Sequence, residues 1–477
     1  MDKDKLGKSV PEFRLFVGGH WLAGQEWFEV RDKISGDIIG TVPMCEDELY
    51  EMAVMAARDS GAALARLPAE RRAAGLRRWA DSLIRARDTL ATGLQRETAV
   101  PLNWALLEVE QASLILKRLA GECERAEAET VSVPREASAA LTSVDFSLCH
   151  PVGTVAALLP DRHPLYYAAQ LAGAAIASGC PVILKAGPLA PITVKQFVEQ
   201  GAQLSWPAGC INLIYGPNRD LGNKLAADPR VVLLALGGHT QDRDALVAMR
   251  AGRPTLAAGT GFACALLDRN ADVAQTTTRL LAQRFRNPQI GRATPFFVLA
   301  PQALAARLSE SVAAGLAALK GANPGDAGSE VPWQISDSTA ERVMDWISTV
   351  KQAGGIVSHG GQRHGTYVEP TVITAPAGYR GIAAPPPTAP VFVVDSYDKQ
   401  PERHLVRIPE LEEVHIFAGS LQSALDLARI PEVPRIEIFP DKAGPTLSLE
   451  RTHDHGRLRQ IMAGMTLRKW VGVHLSG

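Results

Sequence analysis

Cysteine, charge of one sign and uninterrupted apolar runs are all scarce in this sequence, and each scarcity closes off a class of function. The 477 residues carry 50 basic and 51 acidic side chains. A formal charge of −1 gives no general reason to bind nucleic acid or an anionic membrane. The six cysteines, at 45, 123, 149, 180, 210 and 264, show no CxxC or CxxH spacing. That pattern fits reduced, mostly buried thiols in a cytoplasmic protein, and argues against a disulfide framework or a zinc site. The N-terminal MDKDKLGKSVPEF has no apolar run, so no signal peptide is visible. The longest uncharged stretch, Pro164 to Leu184, is rich in Ala and Gly and is broken by Gly179 and Pro181. It predicts a buried helix followed by a strand, not a membrane span.

What is present is an ordinary globular composition, 46% hydrophobic and 21% charged, in a chain long enough for two or three domains with their own cores. Helical spacing is clear early on. Leu49, Met52, Ala53 and Ala56 recur on one face after the acidic turn Glu46-Asp47-Glu48, and Leu76, Trp79, Ala80, Leu83 and Ile84 do so in the next segment. The basic cluster RRAAGLRR, 71–78, reads as the solvated face of that second helix. Before these, FRLFVGGHWLAG predicts a hairpin around Gly18-Gly19.

From residue 150 the grammar changes. GTVAALLP (153–160), PVILKAG (181–187), CINLIYG (210–216) and VVLLALGG (231–238) are continuous apolar runs separated by helix-length segments. Runs without alternation suit parallel strands buried on both faces, hence a doubly wound α/β sheet. ACALLDR (263–269), a helix near 271–286, PFFVLAP (295–301), the pair GGIVSHGG and YVEPTVITAP, and APVFVVDSY (389–397) predict a second α/β domain. VSVPREASAALTSVDFSL (131–148) reads as a two-stranded excursion, and KWVGVHL (469–475) as a strand with no obvious local partner.

FVGGHW, PVGTVAALLP, PVILKAG, PAGCINLIYG, LGGHT, LAAGTGFACALLD, the loop 287–293 and GTYVEPTVI follow one another in order. Together they resemble the aldehyde dehydrogenase superfamily along nearly the whole chain. The resemblance implies two doubly wound α/β domains plus a small β oligomerisation arm. Residues 1–127 and 150–255 would form the NAD(P)-binding-type domain, 256–442 the catalytic-type domain, and 128–149 with 443–477 the arm. It also implies a homo-oligomer, dimer or tetramer, whose arm covers a neighbour's sheet edge.

Aldehyde oxidation on this scaffold needs a thiolate nucleophile, an oxyanion-stabilising amide, a carboxylate to activate water and a nicotinamide. The family's Gly-Gln-x-Cys loop reads Pro288-Gln289-Ile290-Gly291 here, so glycine stands at the thiol position. No cysteine follows Cys264, so shifting the alignment does not supply one. The Trp-Asn-Phe-Pro that carries the oxyanion amide reads Asp161-Arg162-His163-Pro164. The Glu-Leu-Gly-Gly of the general base reads Ala257-Ala258-Gly259-Thr260, and Glu-x-Phe-Gly-Pro reads Pro386 to Pro390. Cofactor contacts are half kept. Lys185 matches the family lysine but Pro188 replaces its glutamate partner, and Gly-Ser-Thr reads Gly238-His239-Thr240, with Arg243 where a second glycine is usual.

The expectation is therefore a non-catalytic member with no catalytic residues and no metal site. It would be structural or regulatory, and would act by oligomerising with itself or with an active aldehyde dehydrogenase relative. Lys185 and Gly238 are the candidate cofactor contacts, and residual NAD or NADP binding stays open. Two alternatives are kept: an enzyme with altered, non-cysteine chemistry on an anion held by Arg162 and Arg292, and an NAD(P)-binding sensor. Nucleic acid and membrane are not expected as partners.

Overall fold

Strands buried on both faces cannot alternate polar and apolar residues, and the continuous runs of the first half become such strands. The computed structural model describes residues 10–125, 143–238, 243–259, 261–286, 288, 290, 294–321, 323–375, 389–408, 410–440 and 454–474. Its first seven-stranded sheet runs Thr255–Ala257, Leu233–Leu236, Val155–Leu158, Val182–Lys185, Ile211–Ile214, Leu15–Val17, His20–Leu22. The first five strands are parallel to one another. The predicted hairpin extends them antiparallel, its turn made by Gly18 and Gly19 at φ 61° and 90°. Two successive positive-φ residues match a tight turn to the strand twist.

Chain order reverses beside Val155–Leu158, which has Val182–Lys185 on one side and Leu233–Leu236 on the other. The crevice beyond the carboxyl ends of these strands is where open α/β sheets bind ligands. The long uncharged stretch resolves as expected into helix Pro164–Ser178 and strand Val182–Lys185, separated at Gly179 (φ 80°). All fifteen helical residues are buried, against helices Leu102–Glu124 and Asp454–Gly464 among others. Among the described residues no helix is long and apolar enough to cross a membrane.

The second seven-stranded sheet runs Ile356–His359, Thr371–Thr374, Val391–Tyr397, Pro295–Pro301, Phe262–Leu267, Leu411–Ala418, Arg435–Pro440. It is parallel except for the first strand; GGIVSHGG and YVEPTVITAP give the strand pair expected of them, and the pair is antiparallel. The helix expected near 271–286 spans Val273–Leu281 and continues as a π-helical turn, Ala282–Arg286.

The C-terminal strand has a partner after all. Thr466–His474 pairs antiparallel with Ser143–Pro151 over nine residues, from Thr466↔Pro151 to His474↔Ser143. Local patterning says nothing about a partner more than 300 positions away; only the family resemblance groups the two segments in one arm. The excursion is described only from Ser143, as one strand; residues 126–142 lie outside the described residues. Of the six free cysteines four are buried, whereas Cys45 is half-buried and Cys149, on the arm, is exposed.

Candidate functional site

The reversal point of the first sheet is lined by the loop between Leu158 and helix Pro164–Ser178. His163 caps that helix in the left-handed region (φ 54°), and Pro164 opens it, where its missing N–H costs nothing. The histidine side chain does not cap. Glu108, from helix Leu102–Glu124, accepts instead from the backbone N–H groups of Leu165 (2.9 Å) and Tyr166 (3.3 Å). Its second oxygen lies 3.1 Å from Nδ1 of His163. Glu108 is buried, and an anion at a helix N-terminus is electrostatically favoured.

Arg162 stands where the resemblance places an oxyanion amide. Its guanidinium donates to the carbonyl of Trp333, a residue of the segment that precedes helix Asp337–Gln352, and its Nε is buried without a hydrogen-bond partner. Burial pulls its pKa down to about 10, with Glu108 and Asp161 resisting the fall. An anion pocket was expected from Arg162 and Arg292 together. Arg162 is turned to a backbone carbonyl, and Arg292 lies outside the described residues.

Asp161 and Lys185 face each other across the strand ends. Asp161 accepts from the N–H of Leu189 at 2.7 Å; burial raises its carboxyl, and Leu189, Lys185 and Lys33 oppose the rise. Lys185 is 1% exposed, and burial brings its ammonium down to about 8 against the pull of Asp161. A Cβ at Gly187 would collide with the Asp161 carboxylate, so glycine admits it. Beside them, the fully buried Glu97 accepts from the N–H groups of Ile192 (2.8 Å) and Thr193 (2.6 Å) and from the Thr193 hydroxyl. It thereby caps helix Pro191–Ala202. Burial outweighs those donors and pushes its carboxyl up to about 7.

Gly238 closes strand Leu233–Leu236 at φ 70°, and a Cβ there would crowd Pro160. The turn alone accounts for glycine at this position. Thr240 and the residues joining Gly238 to helix Arg243–Met249 are outside the described residues. Opposite, the side chain of Ala257 is exposed and ends in a methyl group, and the carbonyls of Ala258 and Gly259 accept from the guanidinium of Arg457.

Of the loop 287–293, Pro288 is half-buried and Ile290 is packed into the core of the first domain, while Gly291 lies outside the described residues. So do Pro386 to Thr388. Before the loop, the buried Arg284 donates to the carbonyls of Ala389 and Pro295, and burial lowers its pKa to about 10. Cys264 is fully buried in strand Phe262–Leu267, and burial raises its thiol far above the ordinary range, as expected of a core thiol. Burial also pushes Cys210 up to about 12.

Glu97, Glu108, Arg284 and Arg457 escaped the sequence reading. Only Glu108 left a signal: it occupies an apolar-stripe position with Ala105, Val109 and Ala112, where a carboxylate needs partners. One further group of His and carboxylates close enough to hold a cation occurs among the described residues, Glu413, His415 and Glu437. Nε2 of the buried His415 is 3.0 Å from Glu413, whose other oxygen is 3.5 Å from the guanidinium of Arg435. That arginine supplies positive charge where an ion would, so the group reads as an ion-pair network.

Comparison with known proteins agrees with this geometry. The profile described as "Aldehyde dehydrogenase family" matches residues 21–408. Mitochondrial succinate-semialdehyde dehydrogenase of Arabidopsis thaliana is 27% identical over 365 residues, 75% of this chain and 68% of that one. Chloroplastic betaine aldehyde dehydrogenase of Beta vulgaris is 26% identical over 415 residues, 83% and 82% of the two chains. Two solved structures superpose with TM-scores of 0.86. They are aldehyde dehydrogenase 21 from Physcomitrella patens in complex with the product succinate (22% identity, 98% and 100% covered) and an NADP-dependent glyceraldehyde-3-phosphate dehydrogenase from Bacillus halodurans complexed with NADP (19%, 98% and 100%). At those identities the superpositions speak for the fold.

Proposed function

This chain belongs to the aldehyde dehydrogenase family, and we propose that within it the chain is a non-catalytic, structural or regulatory member acting through oligomerisation. The observation that carries this reading is the distribution of thiols. Sulfur must sit over the carbonyl pocket to form the hemiacetal from which hydride leaves. Here the sequence has no cysteine beyond Cys264, and that thiol is fully buried in a strand with its ionisation suppressed. The other required groups fare no better. By the motif resemblance Gly291 stands for the nucleophile and Ala257 offers a methyl where a carboxylate would activate water, and the guanidinium of Arg162 is committed to the Trp333 carbonyl.

The residues present do not fit tight binding of a dinucleotide. Lys185 and Gly238 are the positions at which NAD or NADP would touch the chain. However, the lysine is 1% exposed beside the Asp161 carboxylate, and Pro188 has no side-chain oxygen to accept from a ribose hydroxyl. A phosphate entering there would meet a buried carboxylate of its own sign. No step is therefore derived through the cofactor.

In this reading residues 1–127 with 150–255 and residues 256–442 serve as scaffold. The paired strands Ser143–Pro151 and Thr466–His474 form the docking arm for a second copy or an active relative. Leu148 and Leu467 are exposed on that arm at 47% and 54%, and both outer edges of the strand pair are open among the described residues. Open edges of this kind invite strand pairing. The free thiols suit a reducing compartment, and the proposal sets the protein in the cytoplasm.

The test is direct. Pure protein incubated with NAD or NADP and a panel of aldehydes that includes succinate semialdehyde yields no reduced cofactor, and sedimentation gives a dimer or tetramer. Clear turnover rejects the reading. Calorimetric titration with NAD and NADP separates it from the sensor alternative, which needs heat at millimolar ligand or below.

A further inference from the structure

The turn between strand Val182–Lys185 and helix Pro191–Ala202 is filled by two carboxylates from elsewhere in the chain. Glu97 accepts from the N–H groups of Ile192 and Thr193. Asp161 accepts from that of Leu189 at 2.7 Å, with a lesser share from Ala190. Pro191 has no N–H, so every backbone donor from Leu189 to Thr193 faces an internal anion. The two carboxylates differ in access. Glu97 is fully buried, whereas Lys33, Pro188 and Leu189 beside Asp161 are half-buried, so the Asp161 end of the row borders solvent.

Asp161 is held there at a cost. The charges of Lys185 and Lys33 act on it, yet burial outweighs them and raises its carboxyl. A carboxylate in such a place is less favourable than a packed apolar side chain. Helix capping does not require it, since Glu97 already serves helix Pro191–Ala202. What Asp161 does supply is negative charge at a particular point. It lies beyond the carboxyl ends of Val155–Leu158 and Val182–Lys185, beside the reversal of chain order where open α/β sheets take ligands. Backbone N–H groups leading into a helix, with ammonium groups nearby, make a seat for an oxyanion, and Asp161 is the oxyanion found in it.

We propose that Asp161 is an autoinhibitory plug, an internal anion that fills a seat otherwise fitted to a phosphate group. With the plug in place, a phosphate, free or carried on a nucleotide, meets a charge of its own sign. With the plug removed, the N–H groups of Leu189 and Ala190 and the charges of Lys33 and Lys185 are left facing the opening. The inference rests on the reading above that the chain holds no dinucleotide tightly. It adds that the exclusion comes chiefly from one side chain, Asp161, and not from the oxygen missing at Pro188.

Isothermal titration of the full-length parent and of Asp161→Ala tests it, with inorganic phosphate and AMP as separate probes and adenosine as the uncharged control. Charge-assisted hydrogen bonds of this kind predict that the variant binds at least one charged probe about tenfold tighter than the parent, or more. Adenosine should not distinguish the two proteins. The probe with the larger gain shows whether the seat takes free phosphate or a nucleotide. Adding Lys33→Gln to Asp161→Ala should remove most of the gain, which places the bound anion in this seat. Should Asp161→Ala fail to fold, Asp161→Asn, which keeps the shape and drops the charge, should gain in the same direction. Equal affinity in parent and variants overturns the proposal, as does a gain that survives Lys33→Gln or extends equally to adenosine. None of these results bears on the missing thiol. Asp161→Ala given NAD and an aldehyde should still yield no reduced cofactor, and turnover by it would reject the non-catalytic reading while leaving the plug in place.

Discussion

The two halves of the molecule start their helices differently. In the first, Glu46, Pro68, Ala86, Pro101, His163, Ala190 and Pro217 precede the helices, and none caps with its own side chain. Two of those helices, Pro164–Ser178 and Pro191–Ala202, are instead capped by the buried carboxylates Glu108 and Glu97, 57 and 95 positions earlier in the chain. In the second half, Pro301 and Pro401 likewise offer no side-chain cap, but Asp272, Ser336 and Ser420 each accept from N–H groups two or three residues ahead. A local cap forms with its own helix, whereas a distant carboxylate caps only once the tertiary structure has assembled. The long-range caps therefore couple helix ends to global folding and carry buried charge; the local ones do neither.

The largest consequence is a pH dependence confined to the first half. Burial raises Glu97 from the ordinary 4.5 to about 7 in the folded state. A raised folded pKa means stability fully present below 4.5 and lost as the pH climbs to about 7. The loss is on the order of 3 kcal/mol, at about 1.4 kcal/mol per pKa unit. Urea unfolding of the parent and of Glu97→Gln across this range checks it. The stability difference, parent minus variant, should fall by that amount between pH 4.5 and 7 and be flat above pH 8. A flat difference throughout would place the titration elsewhere.

Glu108→Ala comes next. It removes a charge-assisted acceptor from Leu165 and Tyr166 and leaves those buried N–H groups without it, a cost of about 2 kcal/mol. The same change removes the partner of His163 Nδ1, so the ring resonances of that histidine should move between the NMR spectra of parent and variant. A loss well under 1 kcal/mol would mean that the cap is dispensable and the two halves are more alike than their geometry suggests.

These caps also mark how far the sequence could be read. The strands, their parallel order and the Gly18-Gly19 hairpin were legible because apolar runs and turn residues are local signals. So was the family resemblance, carried by motifs spread over the chain. Asp161, Arg162 and Lys185 were legible as positions, but not as a set of groups turned on one another. That Arg162 reaches the Trp333 carbonyl depends on how two distant segments meet, and no spacing encodes it. Glu97 was hidden for the same reason, since it sits at the end of helix Arg87–Thr98, where a carboxylate passes for a solvated residue. The pairing of the arm strands left no local signal, and only the family resemblance grouped the two segments.

The smallest effect belongs to the local caps, and it sharpens the comparison most cleanly. Ser336 accepts from the N–H of Thr339 at 3.2 Å at the start of helix Asp337–Gln352. Ser336→Ala removes that acceptor where solvent can partly replace it, so the cost should be about 1 kcal/mol. Ser336→Gly should cost only a few tenths of that, because glycine leaves the helix end open to water. Neither change alters a buried charge, so both losses should be the same at pH 5 and pH 8, unlike that of Glu97→Gln. If Ser336→Ala instead shows the pH profile assigned to Glu97, the ends of the second half are coupled to the same buried charge, and the distinction between local and long-range caps fails.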